Sequence, residues 1–442
     1  MIYDAERGNL TVVATGDSII NRPLSVFKES AFTEMVELIR GADVGFTNLE
    51  TLIHDYEVNP SVGSGGNTFM ASHPRRLEEL KWAGINLVSS ANNHAYDYGE
   101  GGVLATIRNL EKAGLAYAGT GRNLAEARAP RYLDTSRGRV ALISVSSTFP
   151  SEARAMEQRP DLQGHPGLNP LRINTTYTVD RQAFGELRRT GRELGLDEER
   201  EWLASFGMRG SMPPNTDAEY HFLDRKFVPG DEFGVATSPH QGDLEGNLKW
   251  IREARRQAEW VLVSVHCHEN GKTREDPPEF LQTFARACID AGADAFIGHG
   301  PHYIKGVEVY QGKPILYSIG NFVLQNELVR QPTEIYERFG LDYYATPGQM
   351  YDARTMNDTR GFPAHAIYWE SVVVSCEYAN GGLRALRLHP IDLGYKQPRA
   401  RRGRPVLAGA EVANQVLERM QRLSKPFGTV IAVKDGVGEV KL

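Results

Sequence analysis

The chain has 442 residues, of which 41% are hydrophobic and 24% are charged. This composition is typical of a globular protein with a large core and rules out a mainly disordered chain. A formal net charge of -6 argues against a nucleic-acid partner, since such proteins usually carry a basic surface. The three cysteines form no CxxC pair, which argues against a disulfide framework and against a zinc site built from cysteines alone.

The N-terminal segment lacks the features of a secretory signal. Acidic residues precede the first apolar run, whereas a signal begins with basic residues and has a longer apolar stretch. No segment approaches the roughly 18 consecutive apolar residues that a membrane-spanning helix needs. We therefore expect a soluble, cytoplasmic protein without a membrane span.

Short apolar strands and amphipathic helices alternate along the first third of the chain. This alternation predicts an α/β fold. The predicted strands cover residues 10–15, 43–47, 85–89, 115–118 and 140–145, and the predicted helices cover residues 31–40, 73–83 and 102–113. The glycine-rich run 59–67 is predicted to be a flexible loop, because it lacks the Gly-Lys-Ser/Thr ending of a nucleotide-binding loop.

The alternation stops at residues 149–241, which are rich in charges, proline and glycine. We interpret this stretch as an insertion with one amphipathic helix near residues 181–194. Long irregular segments in compact domains are usually functional or disordered, so a lid over the site or a contact in a homodimer would suit it. A second irregular insertion is predicted at residues 326–364.

The alternation resumes after the first insertion with helices at 244–258 and 278–291 and strands at 260–265 and 293–297. Hairpins are predicted at 306–319 and 370–388. Residues 365–442 are expected to complete the second sheet of a single catalytic domain that spans residues 1–442. The basic run 399–404 is interpreted as a solvated loop, with an anion-facing loop as the alternative.

Five of the predicted strands end in residue types that bind metal ions. In open α/β sheets, ligands bind beyond the carboxyl ends of the strands, so these residues are expected to meet in one cleft. Carboxylate oxygens and imidazole nitrogens suit a divalent transition metal such as Mn, Fe, Zn or Co. The residues are Asp17, Glu50, Asn93 with His94, His266 with His268, and His299 with His302.

Each of these features has a structural alternative when it is taken alone. A Gly-Asp or Asn-Asn pair is usually a turn, a glutamate at a strand end can cap a loop, and a single histidine is more often structural. The pair His299 and His302 is more specific, because two histidines three residues apart on a tight loop can face one ion. Five such strand ends in one order favour a metal site.

These residues resemble the CapA family of poly-γ-glutamate capsule-synthesis proteins, which have a metallophosphoesterase-like fold. The resemblance covers about half of the chain, roughly residues 10–145 and 243–325. The matching segments are Thr15-Gly16-Asp17, Asn48-Leu49-Glu50-Thr51, Asn92-Asn93-His94-Ala95-Tyr96-Asp97-Tyr98-Gly99, Gly298-His299-Gly300-Pro301-His302 and Tyr317-Ser318-Ile319-Gly320-Asn321-Phe322.

The resemblance implies a four-layer αββα sandwich with two mixed β-sheets. It also implies a role for each matching residue. Asp17 and His302 would bind a first metal, Glu50 would bridge two metals, and Asn93, His266 and His299 would bind the second metal. His94 would act as a general acid oriented by Asp97.

The chain departs from the wider phosphoesterase pattern at two positions and from the CapA relatives at a third. Asp17 is not followed by the usual Asp-x-His histidine, and two residues instead of one separate His299 from His302. One ion and two ions therefore both remain open. Relatives commonly have His-Trp-Gly where this chain has His266-Cys267-His268-Glu269. A plain loop is the favoured interpretation of this difference, with His268 or Glu269 as an added ligand or base as the alternative, and His268 is the candidate catalytic residue.

A divalent ion with a general acid and a general base supports several reactions. The resemblance favours hydrolysis or transfer of a peptide or γ-glutamyl amide. Hydrolysis of a small phosphoester, epimerisation at a peptide Cα and a non-catalytic polymer- or partner-binding module are the alternatives. Arg22 and Asn321 are the predicted substrate-binding residues, and for Arg22 a surface ion pair is the alternative.

Overall fold

The computed structural model describes residues 7–61, 68–207 and 213–442. Most of the predicted flexible loop 59–67 therefore lies outside the described residues. None of the described helices is long and apolar enough to cross a membrane.

The first part of the chain follows the predicted alternation, with additional short strands between its main elements. Its strands are β1 (Leu10–Ile19), β2 (Val44–Leu49), β3 (Leu52–Ile53), β4 (Ala71–Ser72), β5 (Leu87–Ser89), β6 (Ala116–Ala118), β7 (Thr120–Gly121), β8 (Arg131–Thr135) and β9 (Gly138–Ser146). Its helices are α1 (Ser30–Arg40), α2 (Arg76–Trp82), α3 (Gly99–Ala113) and α4 (Leu124–Arg128).

The first insertion contains more regular structure than the sequence predicts. Its strands are β10 (Gly167–Leu168), β11 (Ile173–Asp180), β12 (Tyr220–Phe222), β13 (Arg225–Gly230) and β14 (Gly234–Pro239), and its helices are α5 (Arg181–Glu193) and α6 (Leu196–Ser205). Four of these strands form a small sheet in the order β12-β13-β11-β14. The expectation of an irregular segment is therefore wrong for this part, because Thr-rich strands such as β11 lack the apolar runs that we used to identify strands.

The core resumes after the insertion and continues to the chain end. Its elements up to residue 325 are α7 (Gln241–Arg255), β15 (Trp260–His266), α8 (Glu279–Asp290), β16 (Ala295–His299), β17 (Val307–Tyr310), β18 (Lys313–Leu316) and β19 (Asn321–Leu324). The remaining elements are α9 (Thr333–Arg338), α10 (Pro347–Thr355), β20 (Glu370–Ala379), β21 (Gly382–Asp392), β22 (Val406–Leu407), α11 (Ala410–Ser424), β23 (Ile431–Lys434) and β24 (Val437–Val440).

Two large mixed sheets carry the core. The first has ten strands in the order β23-β24-β21-β20-β1-β2-β5-β6, with β19 beside β1 and β22 beside β21. The second has six strands in the order β17-β18-β16-β15-β9-β8. The C-terminal strands join the first sheet, because β20 pairs antiparallel with β1 along Leu10–Ala14. Residues 365–442, which the sequence analysis assigned to a second sheet, thus extend the sheet that contains β1.

Alternating side chains divide the core into layers. Val12 of β1 and Leu262 of β15 lie in the apolar layer between the two sheets. Val13 of β1 faces the opposite way, against α1 and α3, and Val263 of β15 faces α7 and α8. Successive side chains of a strand point to opposite faces, so each sheet is buried on both sides. The predicted four-layer αββα sandwich with two mixed sheets is confirmed.

Candidate metal centre

Strand register brings the carboxyl ends of the two sheets together. In the first sheet, Asp17 of β1 lies opposite Asn48 of β2 and opposite Asn321 of β19. In the second sheet, His266 at the end of β15 lies opposite His299 at the end of β16. The parallel direction of these strands places all their carboxyl ends at one edge, as the sequence predicts. The two rows supply a cluster of carboxylates, amides and imidazoles.

Asp17 is fully buried at the centre of this cluster. Its Oδ1 accepts a hydrogen bond from Asn48 Nδ2 at 2.8 Å, and its Oδ2 accepts one from the backbone N–H of Gly300 at 3.0 Å. Burial outweighs these bonds and raises the pKa of Asp17 to about 7. The carboxylate is therefore held in place by neutral donors, and no described cation neutralises it at hydrogen-bond distance.

Glu50 follows β2 and is also completely buried. Neither of its carboxylate oxygens has a hydrogen-bond partner. Burial, and then the nearby charges of Asp17 and Asp97, raise the pKa of Glu50 well above its ordinary value. A buried carboxylate without donors is costly unless a cation compensates its charge. Glu50 is thus the strongest indication in the described residues that this cluster holds a cation.

Three buried imidazoles surround these two carboxylates. His299 Nδ1 lies 3.5 Å from Asp17 Oδ1, and His266 Nε2 lies 3.8 Å from Glu50 Oε1. His302 reaches both carboxylates, with Nδ1 3.6 Å from Asp17 Oδ2 and Nε2 3.5 Å from Glu50 Oε1. Burial lowers the pKa of His299 to about 3, that of His302 to about 4 and that of His266 well below its usual value. All three rings are therefore neutral at physiological pH, as metal binding requires.

Two polar residues orient these rings from outside the cluster. Ser264 Oγ lies 2.7 Å from His299 Nε2, which directs the other ring nitrogen towards Asp17. Asn321 Oδ1 lies 2.9 Å from His302 Nδ1, and its Nδ2 donates to the carbonyl oxygens of His302 and Tyr368. Both amide hydrogens are used, so Oδ1 accepts and His302 Nδ1 donates. The unprotonated Nε2 of His302 consequently faces Glu50.

The backbone between the two histidines of this loop has an unusual conformation. Gly300 has φ +119°, and a side chain there would approach Cys267 N to 2.8 Å. His302 itself has φ +67°, in the left-handed region that non-glycine residues rarely adopt. Strained backbone of this kind persists at functional sites because the surroundings hold it. The turn brings His299 and His302 to the same carboxylate.

His94 stands at the mouth of the cluster beside Asp97. Its Nδ1 lies 2.6 Å from Asp97 Oδ2, which also accepts the backbone N–H of Met70 at 2.6 Å. Its Nε2 lies 3.9 Å from Glu50 Oε1. The His94 side chain keeps 13% of its surface exposed, whereas Glu50 has none. A carboxylate thus fixes one ring nitrogen, and the other faces the site.

The side chain of His268 lies in the same cluster. Its Nε2 is 3.0 Å from His266 Nε2, and its ring packs against His302 with a centroid distance of 5.3 Å. The carboxylate of Glu269, the other residue considered from sequence, points elsewhere. Its Oε2 accepts hydrogen bonds from Ser147 and Thr148.

Most of the predicted site residues therefore lie together. Three overlapping sets of ligand atoms could each hold one ion, all within 4.8 Å of one another in each set: Asp17 with His266 and His299; Glu50 with His266 and His268; and Asp17 with Glu50 and His302. Asn93 has a buried Oδ1 without a hydrogen-bond partner, which leaves that oxygen available to an ion.

Arg22 is the predicted site residue whose described contacts lead away from the cluster. Its guanidinium donates to the backbone carbonyl oxygens of Arg399 and Arg402. The described contacts of Arg22 also lack the surface ion pair that was the alternative interpretation. Asn48 and Ser264 both contact the cluster, but the sequence analysis gave neither a role: Asn48 was quoted only as part of a matching segment, and Ser264 was not named. Asn48 stands two residues before Glu50 at the end of its strand, and that position was the available signal.

The first insertion touches the segment that carries His94. His165 Nε2 lies 3.1 Å from Glu100 Oε1 and 3.3 Å from the hydroxyl of Tyr96. Tyr96 stands two residues after His94. The insertion therefore packs against the rim of the candidate centre, while its role as a lid or a homodimer contact stays a prediction.

Comparison with protein families identifies the family of this chain. The family described as "Bacterial capsule synthesis protein PGA_cap" matches residues 11–326, which include every candidate ligand. The chain belongs to this capsule-synthesis family. An uncharacterized protein of Sinorhizobium fredii, y4sH, is 36% identical over 98% of this chain and 93% of its own length. The alignment therefore extends over both insertions and the C-terminal strands of this chain.

More distant members of the capsule-synthesis family have descriptive names. The capsule biosynthesis protein CapA of Bacillus anthracis is 22% identical over 74% of this chain and 62% of its own length. A probable polyglutamine synthesis accessory protein of Mycobacterium tuberculosis is 25% identical over 64% of this chain and 55% of its own length. The chain thus spans less than two thirds of either relative.

Among solved structures, the NAD nucleotidase of Haemophilus influenzae aligns with 94% of this chain and 57% of its own chain. The TM-score is 0.33 and the identity is 9%. A likeness of this size carries no argument about function.

Proposed function

We propose that this protein is a divalent-metal-dependent enzyme that cleaves or transfers a peptide or γ-glutamyl amide. The observation that carries the proposal is Glu50, a fully buried carboxylate without a hydrogen-bond partner, among neutral imidazoles and beside the His94–Asp97 pair. A purely structural cluster would satisfy such a carboxylate with donors from the protein. In a metal-dependent reaction centre, the carboxylate instead binds an ion.

The donor set fits a divalent transition metal. Carboxylate oxygens, an amide oxygen and neutral imidazoles are the ligand types that Mn, Fe, Zn and Co accept in proteins. Asp17, Glu50, Asn93, His266, His299 and His302 are the proposed ligands. When bound, such an ion polarises a carbonyl or phosphoryl oxygen and lowers the pKa of a bound water molecule. The number of ions, one or two, and their identity are left to measurement.

His94 is proposed as the general acid. Asp97 holds its Nδ1, so the ring keeps one orientation and its Nε2 points towards the site. In hydrolysis, water adds to the amide carbonyl carbon and the C–N bond breaks. His94 would give its Nε2 proton to the departing nitrogen, which leaves as an amine. General acid catalysis of this kind contributes about 10²–10⁴-fold to a rate.

The substrate class rests on the relatives. Members of the family are named for capsule biosynthesis and, in Mycobacterium tuberculosis, for polyglutamine synthesis. These names agree with the resemblance to poly-γ-glutamate capsule-synthesis proteins, and on that resemblance we propose a glutamate-containing polymer with γ-linked amides as the substrate. One fold supports many reactions, so the substrate has to be tested directly.

The test uses the purified full chain loaded in turn with Mn²⁺, Zn²⁺ and Co²⁺. A γ-linked glutamate oligomer, its α-linked isomer and an aryl phosphate are incubated in D₂O, and products are identified by mass spectrometry. We expect metal-dependent cleavage of the γ-linked oligomer that disappears in Glu50→Gln. Turnover of the aryl phosphate alone would instead show a phosphoesterase.

Two further outcomes would replace the proposal. Deuterium that enters a peptide Cα without cleavage would show epimerisation. Less than about 0.2 metal ions per chain after loading would contradict every metal-dependent reading. The protein would then be a binding module of the family.

A further inference from the structure

His268 is held rigidly where it meets the candidate centre. Its backbone N–H donates to Thr148 Oγ1 at 2.9 Å, and the Thr148 hydroxyl in turn donates to Glu269 Oε2 at 2.9 Å. The loop beyond it is fixed by the buried ammonium of Lys305. Lys305 Nζ donates to the carbonyl oxygens of Glu269 and Asp276 and to Asn270 Oδ1, each at 3.1 Å.

Side chains that bind metals are normally held in place by surrounding hydrogen bonds. A loop that is fixed at both ends is therefore well suited to carry a metal ligand. Among the described contacts of this loop, we find no other role for these hydrogen bonds. Lys305 is 1% exposed and contacts only neutral oxygens through its hydrogen bonds, so it stabilises the loop and not a substrate. The anchoring therefore serves the side chains at the start of the loop, of which His268 is one.

The nitrogen atoms of His266 and His268 lie at a separation that suits a shared ion. The two Nε2 atoms are 3.0 Å apart. Two nitrogens bound at 2.0–2.1 Å to one tetrahedral ion are about 3.3 Å apart. A direct hydrogen bond between the rings would also fit this distance, but it would leave both oxygens of Glu50 unpaired. A cation between Glu50, His266 and His268 satisfies all three residues together.

We propose that His268 is a metal ligand, which binds an ion together with Glu50 and His266. Of the two roles that the sequence left open for His268, the added ligand is thus preferred to the catalytic base. This inference rests on the proposed metal centre. It adds one imidazole to the ligands inferred from the family resemblance. It also partly offsets the ligand that is missing after Asp17, where Ser18 and Ile19 stand in this chain.

The test measures metal binding and does not depend on turnover. Affinities for Zn²⁺ and Co²⁺ are determined by competition with a chelator for the wild type and for His268→Gln. We expect the affinity to fall at least about 10-fold, since even residues that only orient ligands contribute 10–100-fold. The matched control is His389→Gln, which removes a half-buried imidazole that contacts Ser375 in the first sheet, away from the cluster.

A cysteine at the same position supplies a second readout. His268→Cys offers a thiolate, and Co²⁺ bound to a thiolate has a charge-transfer absorption that histidine does not give. We expect this band in His268→Cys and not in His389→Cys. Unchanged affinity in His268→Gln together with no band in His268→Cys would overturn the proposal.

Glu50→Gln separates this inference from the proposed function. Loss of metal in Glu50→Gln with full retention in His268→Gln would reject only the role of His268. Retention of metal in both variants would reject the proposed centre itself. Circular dichroism of each variant confirms that it folds.

Discussion

Two clusters of charged and titratable side chains in this protein compensate their carboxylates in opposite ways. The candidate centre, formed by Asp17, Glu50, His266, His268, His299 and His302, contains two buried carboxylates and no permanent cation. The arginine cluster, formed by Arg399, Arg402, Glu327, Asp352 and Asp358, pairs its carboxylates with guanidinium groups, for example Arg402 Nη1 with Asp358 Oδ2 at 2.8 Å.

The difference separates structural charges from charges that need a ligand. Arg402 and Glu327 are 4% and 1% exposed and form a direct ion pair. Removal of Arg402 would leave the buried charge of Glu327 without its direct partner, whereas Arg402 would keep Asp358 if Glu327 were removed. Glu50 has no such partner within the protein. Removal of the Glu50 charge should therefore cost the protein little stability, unless an ion is bound.

Glu50→Gln is expected to have the largest effect on function. It should abolish turnover and remove the stabilisation that a bound ion gives, which is about 2.7 kcal/mol at 100 times the Kd. The metal-free variant should be at least as stable as the metal-free wild type at pH 8. The pKa of folded Glu50 is raised, so its ionised form penalises the folded state as pH rises above the unfolded value.

Urea unfolding with and without Zn²⁺ checks both parts of this expectation. The matched control is Glu327→Gln, which neutralises a buried carboxylate that has an arginine partner. That variant should lose stability and keep its response to Zn²⁺. Equal destabilisation of the two metal-free variants would show that the two clusters do not differ in the way described.

His94→Gln should have the next largest effect. We expect turnover to fall by about 10²–10⁴-fold, because the general acid is lost, while the metal content per chain stays at the wild-type value. Metal analysis and turnover are measured on the same sample. If metal and activity were lost together, His94 would be a metal ligand and not the general acid.

The sequence predicts the site far better than it predicts the surroundings of the site. Residues of the candidate centre lie at the carboxyl ends of largely apolar strands, so local patterns identify the strands and the parallel direction brings their ends together. Asp17 lies near the end of β1, Glu50 directly follows β2, and His266 and His299 are the last residues of β15 and β16. The individual roles of these residues stay predictions. Local patterns cannot show which nitrogen of a ring faces which carboxylate.

The arginine cluster illustrates what local patterns miss. The run 399–404 was interpreted as a solvated or an anion-facing loop, yet Arg399 and Arg402 pair with residues 41 to 75 positions earlier. Their partners lie in the second insertion, which was predicted to be irregular. The pairing of β20 with β1 escaped prediction for the same reason, because contacts between distant segments leave no periodic signal in either one.

Arg402→Met should reduce stability without any effect on the metal. Its removal leaves Glu327 buried without its direct partner, and breaking a buried ion pair costs about 3–5 kcal/mol. Urea unfolding of the metal-free protein gives the change, and chelator competition gives the metal affinity. Arg401→Met is the control, because Arg401 is exposed and its replacement should leave both quantities unchanged.

Asn321→Ala should have the smallest of these effects. Asn321 was predicted to bind substrate, but its Oδ1 holds the Nδ1–H of His302 and so keeps the unprotonated Nε2 towards Glu50. Without that bond the ring loses its fixed orientation, and metal affinity should fall by about 10–100-fold. Chelator competition with Zn²⁺ measures the change.

Asn109→Ala is the matched control for Asn321. The Asn109 amide likewise donates to two backbone carbonyl oxygens, those of Ile53 and Ala105, but it touches no imidazole. A similar loss of stability in both variants with a loss of metal affinity only in Asn321→Ala would assign Asn321 to the orientation of His302. Unchanged affinity in Asn321→Ala, with a raised KM for substrate, would return Asn321 to the substrate-binding role that the sequence suggested.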